Sequence, residues 1–402
     1  MDDTGGIVVR KIPVPWTSPA EAVLYILIVL LAIGTINVFS ASFVTAGQLL
    51  GDSYYFLKRH LVSLGLGFIG VIFVAKMKYR NLPRLSLLLA TITIVLLVAV
   101  HFVGVEANGA RRWLNLGIKF QPSEIAKLVA VLMTAEYLGP RLDRSRPVTL
   151  FSWPVVFSGF MAILVLRQPD MGTAVVIAAI CLVMYLSSGI PTSQIYGLMG
   201  CSGFAVVYLV YAAAYRAERI FAWLDPWAYQ QTSGYQSVQA LLAIGSGGVL
   251  GTGLGMGASK FHYLPEAHTD FAFAVLCQEM GFVGAMVVIV LFGLLAWYGI
   301  KIALNAKDGL GMMLAAGSTF LVVGQAVGNI AMVSGILPVT GIPLPFISYG
   351  GTSLMVNMVA VGLLISVARR PRSHTHAEGD AGEDRIERIR QRRLKLVPRT
   401  SQ

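Results

Sequence analysis

Three clusters of polar residues stand in a sequence that is otherwise mostly apolar. The first is ANGARRWLNLGIKFQPSEIAKL, residues 107–128. Arg111, Arg112 and Lys119 bring cations to the edge of an apolar run. Pro122 suits the first turn of a helix, where its missing N–H is no loss. Glu124 and Lys127 then fall three residues apart on one helical face. Such a pair either neutralises itself between packed helices or marks a functional site, because ionisable groups within a membrane are costly. The second cluster is YLPEAHTDFAFAVLCQEMG, residues 263–281. Glu266, His268, Thr269 and Asp270 crowd the start of another apolar run. Thr269 or Asp270 is expected to cap that helix. A cap explains one oxygen-bearing side chain, not four polar residues in five. Gln278 and Glu279 follow inside the run, where Glu279 needs a partner. No second His or Cys accompanies His268, which argues against a structural zinc site. The third cluster is SGILPVTGIPLPFISYGGTSL, residues 334–354. Its prolines and glycines forbid a regular helix, and broken backbone at membrane depth is tolerated where it lines a wet cavity. Ser348 is the small polar residue there expected to face such a cavity.

The elements that must position these clusters are membrane helices. The chain has 402 residues, of which 56% are hydrophobic and 13% charged. Soluble domains carry about 25% charged residues. A span needs about 20 mainly apolar residues. Ten segments qualify: 21–43, 59–77, 84–104, 122–139, 149–166, 171–188, 193–214, 270–302, 309–333 and 352–368. The expected architecture is an all-α polytopic membrane protein. Residues 1–20 form a cytoplasmic N-terminal segment, 21–368 the ten-helix domain, and 369–402 a basic cytoplasmic tail. Residues 215–269 form a long external loop between helices 7 and 8. With both termini inside, 21 Lys and Arg residues lie on the cytoplasmic side and nine outside. The first span then serves as an uncleaved signal anchor. The basic tail reads as a topology signal and anionic-lipid contact rather than a nucleic-acid site, since no nucleic-acid-binding motif is present. Cys181, Cys201 and Cys277 lie in apolar runs and are expected to be buried free thiols.

The loop 215–269 is rich in aromatics and contains GSGGVLGTGLGMGASK at 245–260. Short amphipathic pieces on the bilayer surface are expected for it. The glycines are not a phosphate-binding P-loop, because Ser259 precedes Lys260 and no strand leads in. In RQPDMGTA (167–174), Asp170 is expected to cap the sixth helix.

The strings RRWLNLGIKFQPSEIAKL, RQPDMGTA, LDPW with GYQSVQALLAIGSGG, YLPEAHTDFAFAV with QEMGFVGA, and ILPVTGIPLPFISYGGTSL occur in this order. Together they resemble the SEDS family of bacterial glycosyltransferases, over residues 20–370. LDPW, GYQSVQ and PEAHTDF look more like the division branch than the elongation branch. The resemblance implies polymerisation of lipid II, a disaccharide-peptide on undecaprenyl pyrophosphate, at the outer face of the bacterial cytoplasmic membrane. It implies inversion at the sugar and release of undecaprenyl pyrophosphate. Asp270 matches the family's essential aspartate and is assigned as general base. Arg111, Arg112, Lys119 and Lys127 are the expected cations for the pyrophosphate, with Arg216, Arg219 and Lys260 secondary. Glu124, Glu266, His268 and Ser348 complete the expected substrate-binding set. A divalent cation, magnesium or manganese, would suit the leaving group, with ligands undetermined. The implied partners are a class B penicillin-binding protein transpeptidase and other division or elongation proteins. QEMG and GLGMGASK depart from the commoner family strings. A lipid-carrier flippase or transporter, and a non-catalytic division scaffold, are the competing readings.

Overall fold

The computed structural model describes residues 18–107, 110–115, 119–191, 193–197, 200, 214–260 and 264–369. Its principal helices are α1 (Pro19–Leu50), α2 (Tyr55–Lys76), α3 (Ser86–Val103), α4 (Pro122–Asp143), α5 (Trp153–Arg167) and α6 (Met171–Ser187). They continue with α7 (Ala214–Leu224), α8 (Tyr235–Ser246), α9 (Ala272–Leu304), α10 (Gly309–Val333) and α11 (Gly351–Ala368). Among the described residues, α1, α2, α3, α9, α10 and α11 are long and apolar enough to cross a bilayer, so the protein is an integral membrane protein. Helices α4, α5 and α6 coincide with three further predicted spans, although α5 and α6 have only 15 and 17 residues. Most of the predicted seventh span, 193–214, lies outside the described residues, as do Cys201 and the tail beyond Arg369.

Helix ends follow local chemistry. Ser18 accepts a hydrogen bond from the Glu21 N–H and Pro19 opens α1, while Gly51, at φ 71°, ends it. Asp308 caps α10 through the Gly311 N–H. Asp170 caps α6 by accepting from the Thr173 N–H at 3.1 Å, as the sequence predicts. The predicted cap on α9 is absent. Its N-cap residue is Phe271, and Thr269 instead donates to Glu266 Oε2 at 2.7 Å. The helix begins at Ala272 rather than at residue 270, which leaves Asp270 ahead of it.

Packing places α4, α10 and α11 at the centre. Helix α11 packs on α2, and α10 packs on both α4 and α9. The outer helices expose apolar side chains such as Ile69, Phe73, Val95 and Trp297, the surface a lipid-facing helix presents. Chain direction alternates, so the starts of α4, α6, α9 and α11 meet the ends of α3, α5 and α10 at one end of the bundle. The opposite end is tied by Arg80 to Asp308, by Asp143 to the Gly309 N–H and by Ser366 to the Met77 carbonyl.

Two features were not expected from the sequence. Between α3 and α4 lies a small antiparallel sheet, β1 (Val105–Ala107), β2 (Ala110–Asn115) and β3 (Lys119–Phe120), in the order β1-β2-β3. No other sheet is present among the described residues. The second concerns the glycine stretch. Helix α9 is broken at Gly281, where φ is 66° and ψ −167°. Backbone groups freed there are taken up by residues 248–253. Thr252 and Gly253 N–H groups donate to the Gln278 and Glu279 carbonyls, and Phe282 and Val283 donate to those of Gly248 and Val249. Gly247 and Gly251 each approach the α9 backbone so closely that a Cβ would lie 2.1 and 2.2 Å from a carbonyl oxygen. The glycines therefore serve a backbone-to-backbone splice. Gln278 strengthens it, accepting from Ser259 Oγ at 2.6 Å and donating to Ser246 Oγ at 2.8 Å. The Ser40 hydroxyl of α1 lies 2.7 Å from both carboxylate oxygens of Glu279, which gives that residue the partner its position demands.

The segment 334–350 is non-helical, as its prolines and glycines predict. Its second half is buried: Leu344, Phe346 and Ile347 are each at most 1% exposed, whereas Ile336 and Leu337 are exposed. It presses against α1 at Gly34, where a Cβ would sit 1.8 Å from the Phe346 carbonyl oxygen.

Candidate active site

Asp270 stands where four elements converge. Its segment, 264–271, leads into α9 and is held from two sides. Asn329 of α10 donates from Nδ2 to the Asp270 carbonyl at 2.8 Å and to the Ile342 carbonyl at 2.7 Å. One amide thus clamps the Asp270 segment to the 334–350 segment at its buried residue Ile342. The Tyr349 N–H donates to the His268 carbonyl at 2.8 Å, which makes a second tie. Gly341, at φ 74°, lies so near the carboxylate that a Cβ there would be 3.5 Å from Asp270 Oδ2. Asp270 is only partly covered at its surface, though protein surrounds it deeply.

Burial pushes the Asp270 carboxyl up to about 7. The negative charges of Glu266 and Asp170 raise it further, and the guanidiniums of Arg112 and Arg219 pull the other way. Two more carboxylates and two cations therefore lie within electrostatic reach. Strand β2 carries Arg112, which donates to the carbonyls of Gln168 and Pro169 just before α6. Gln121, at the start of α4, donates to Asp170 Oδ2 at 3.1 Å. Its N–H donates to Thr352 Oγ1 at the start of α11, also at 3.1 Å. The capping residue Asp170 is thus also a neighbour of Asp270. Burial pushes the His268 imidazole below its usual range, with Glu266 opposing.

Glu124 and Lys127 lie one turn into α4 and are almost wholly buried, at 2% and 1% exposure. Lys127 Nζ is 2.7 Å from Glu124 Oε2, although that oxygen lacks a well-directed hydrogen bond. Lys127 also donates to Gln325 Oε1 at 2.8 Å, and Gln325 Nε2 reaches Asn357 Oδ1 at 3.3 Å. Gln325 and Asn329 are four residues apart on α10, so one face of α10 serves both the buried pair and the Asp270 clamp.

Several predicted site residues stand elsewhere. Arg111 is exposed and pairs with Glu106 at 3.4 Å. Successive strand residues point to opposite faces, so Arg112 turns inward and Arg111 outward. Lys119 is exposed at the sheet edge. Ser348 is buried within its own turn, where its Oγ accepts from the Leu344 N–H. The His268 ring packs against Phe56 and Tyr349, with centroids 4.5 and 5.8 Å away. The side chains of Lys260 and Arg216 lie outside the described residues. Arg219 lies nearer the centre than its secondary ranking implied. Sequence reading passed over Asn329, Gln325 and Gln121 because it weighed clustered polar residues and ionisable groups, not single amides in or beside a span. Gln325 and Asn329, a turn apart in a span, carry a comparable signal.

Beside this centre lies a cavity of about 440 Å³, bounded by α7, α8, Pro265 and Val339. Among the described residues no group of three or more His, Cys, Asp or Glu side chains is placed to hold a metal ion.

The FtsW/RodA/SpoVE family, described as cell cycle protein, matches residues 20–373. The chain is 41% identical to stage V sporulation protein E of Bacillus subtilis, over 89% of its own length and 98% of the relative's. It is 40% identical to a probable peptidoglycan glycosyltransferase FtsW of Geobacter sp., over 87% and 96%. Among solved structures it resembles a chain from a study of coordinated polymerization and crosslinking by a peptidoglycan synthase complex. That match has TM-score 0.72 and 29% identity, covering 88% of this chain and 98% of the other. The rod shape determining protein RodA of Thermus thermophilus matches with TM-score 0.64 and 28% identity, over 88% and 97%.

Proposed function

The chain belongs to the FtsW/RodA/SpoVE family, and from that premise we infer that it is a peptidoglycan glycosyltransferase acting in cell division or sporulation. It polymerises lipid II. Asp270 is the general base. The observation that carries this reading is one carboxylate, deep but reachable, held near neutrality with two guanidiniums in its field.

In the reaction, Asp270 takes the proton from the 4-hydroxyl of the acceptor sugar. That oxygen attacks the anomeric carbon of the donor sugar as the carbon–oxygen bond to pyrophosphate breaks. Attack from the opposite face turns an α-linkage into a β-1,4 bond. The electron pair leaves with undecaprenyl pyrophosphate, and Asp270 holds the proton. Arg112 and Arg219 are the cations we assign to the developing charge, because a preorganised positive group favours the transition state over the ground state. Arg111 and Lys119 are better suited to attract an anionic headgroup at the surface. The Glu124–Lys127–Gln325 network holds α4 against α10, and so positions Gln121 and Asn329. A magnesium or manganese ion fits this site only as a companion of the substrate's pyrophosphate, since phosphates with one or two carboxylates satisfy such an ion.

We also assign both termini to the cytoplasm and the Asp270 end to the exterior. The distribution of Lys and Arg supports this orientation. A crosslinking transpeptidase of the class B penicillin-binding type is the partner suited to a polymerase that releases nascent strands outside the cell.

The test supplies purified protein, alone and with its transpeptidase, with lipid II and sizes the glycan products on a gel. Ladders are expected, and they should vanish in Asp270→Ala at equal expression. Equal ladders from that variant would overturn the assignment. Transport of lipid II across liposomes without polymer would replace the enzyme by a flippase.

A further inference from the structure

Apart from Arg219 in its wall, the cavity near Asp270 has no part in the chemistry so far. Asp270 does not itself line it, but three links connect its wall to the base. Arg219 lines it and acts electrostatically on Asp270. Pro265 lines it and adjoins Glu266, the carboxylate with the largest influence on Asp270. Val339 lines it two residues before Gly341, which faces the carboxylate. Its volume of about 440 Å³ lies in the range of ligand pockets, roughly 300–1,000 Å³.

The lining has a definite chemistry. Trp223 and Tyr235 offer aromatic surface, and Gln236 offers an amide. The Trp223 indole N–H is already engaged by the Gly335 carbonyl at 3.0 Å, which fixes the ring in the cavity wall as an apolar surface. The Ser233 hydroxyl is covered and has no hydrogen-bond partner among the described residues. That oxygen is closed off from the cavity, so the polar groups offered to a ligand are Gln236 and the neighbouring Thr232 and Ser237. Aromatic faces recognise the C–H surface of a sugar ring, while amides and hydroxyls recognise its acetamido and hydroxyl groups. A lipid tail would have no use for these polar groups.

We propose that this cavity is a saccharide subsite that holds an N-acetylhexosamine of the acceptor, with its free hydroxyl presented to Asp270. Arg219, in the cavity wall and within electrostatic reach of Asp270, would border both the sugar and the developing pyrophosphate charge. The proposal rests on Asp270 being the base, and the experiment separates the two ideas.

Full-length protein in detergent is titrated with N,N′-diacetylchitobiose by saturation-transfer NMR, and lipid II polymerisation is followed in parallel. Wild type and Asp270→Asn should both bind the disaccharide, although the second makes no polymer. Trp223→Leu should weaken disaccharide binding and raise the apparent KM for lipid II about tenfold, with kcat largely retained. Gln236→Leu should raise KM about threefold to tenfold without touching the Trp223–Gly335 tie. Unchanged KM and disaccharide binding in both Trp223→Leu and Gln236→Leu would overturn the subsite, as would absence of disaccharide binding by the wild type. Full polymerisation by Asp270→Asn would overturn the base and leave the subsite to stand on the disaccharide titration.

Discussion

Because Asp270 titrates near neutrality, polymerisation should depend on pH in a way its neighbours can move in opposite directions. A base works only when deprotonated. With its carboxyl at about 7, about one tenth of the molecules carry the active carboxylate at pH 6 and about nine tenths at pH 8. Initial rate at low lipid II should therefore be about tenfold higher at pH 8 than at pH 6. Glu266→Gln removes the largest like charge acting on Asp270, so its pKa falls, the profile moves toward acid, and the pH 8 to pH 6 ratio drops below tenfold. Arg112→Gln removes the largest opposing cation, so the pKa rises and the ratio grows beyond tenfold, with a lower plateau if Arg112 also meets the pyrophosphate. The assay is the initial rate from fluorescent lipid II at five pH values, with protein and lipid kept constant. Opposite displacements by two single substitutions cannot come from the titration of the substrate, which is common to all samples. A wild-type ratio near one, or displacement in the same direction by both variants, would refute the reasoning.

The same shift bears on stability. Folding raises the Asp270 pKa from 3.8 to about 7, so stability is lost as pH rises between those values and the full penalty, up to about 4 kcal/mol, applies above 7. Asp270→Asn should therefore raise the unfolding temperature more at pH 8 than at pH 5 while abolishing polymerisation, measured by scanning fluorimetry. At 2.7 Å and an effective dielectric near 20, the Glu124–Lys127 attraction is about 6 kcal/mol before desolvation. Lys127→Met should then destabilise by about 3–5 kcal/mol, with much of the loss recovered in the double variant with Glu124→Gln, as a thermal-unfolding double-mutant cycle would show. Gly251→Ala, at φ 83° and with its new Cβ 2.2 Å from the Glu279 carbonyl oxygen, should break the splice to α9. Its activity should fall with its unfolding temperature, whereas Gly248→Ala, with open space at that position, should be milder on both measures.

The apolar runs alone located most of the helices, because a bilayer demands some 20 apolar residues whatever the neighbours are. Nine of the ten predicted segments carry helices among the described residues, with boundaries a few residues away. Pro and Gly density in 334–350 marked broken backbone, and Asp170 marked a cap, because these effects are local. The crowding of polar groups marked residues 266–270, and the family resemblance of the string PEAHTDF singled out Asp270 among them. Tertiary structure decided what surrounds that carboxylate. Arg112 rather than Arg111 turns inward because residues 110–115 form a strand, an element the sequence reading had not assigned there. Asn-Gly at 108–109, between short alternating stretches, was the overlooked hairpin signal. The glycines of 247–253 read as a surface stretch, yet their use is to let one backbone enter the break in another 30 residues away. Asp170, Asn329 and Arg219 reach Asp270 from separate elements, over separations of about 50 to 100 residues. No local pattern can specify such a meeting, because it is fixed by which helix faces pack, and that is settled only when the whole bundle has closed.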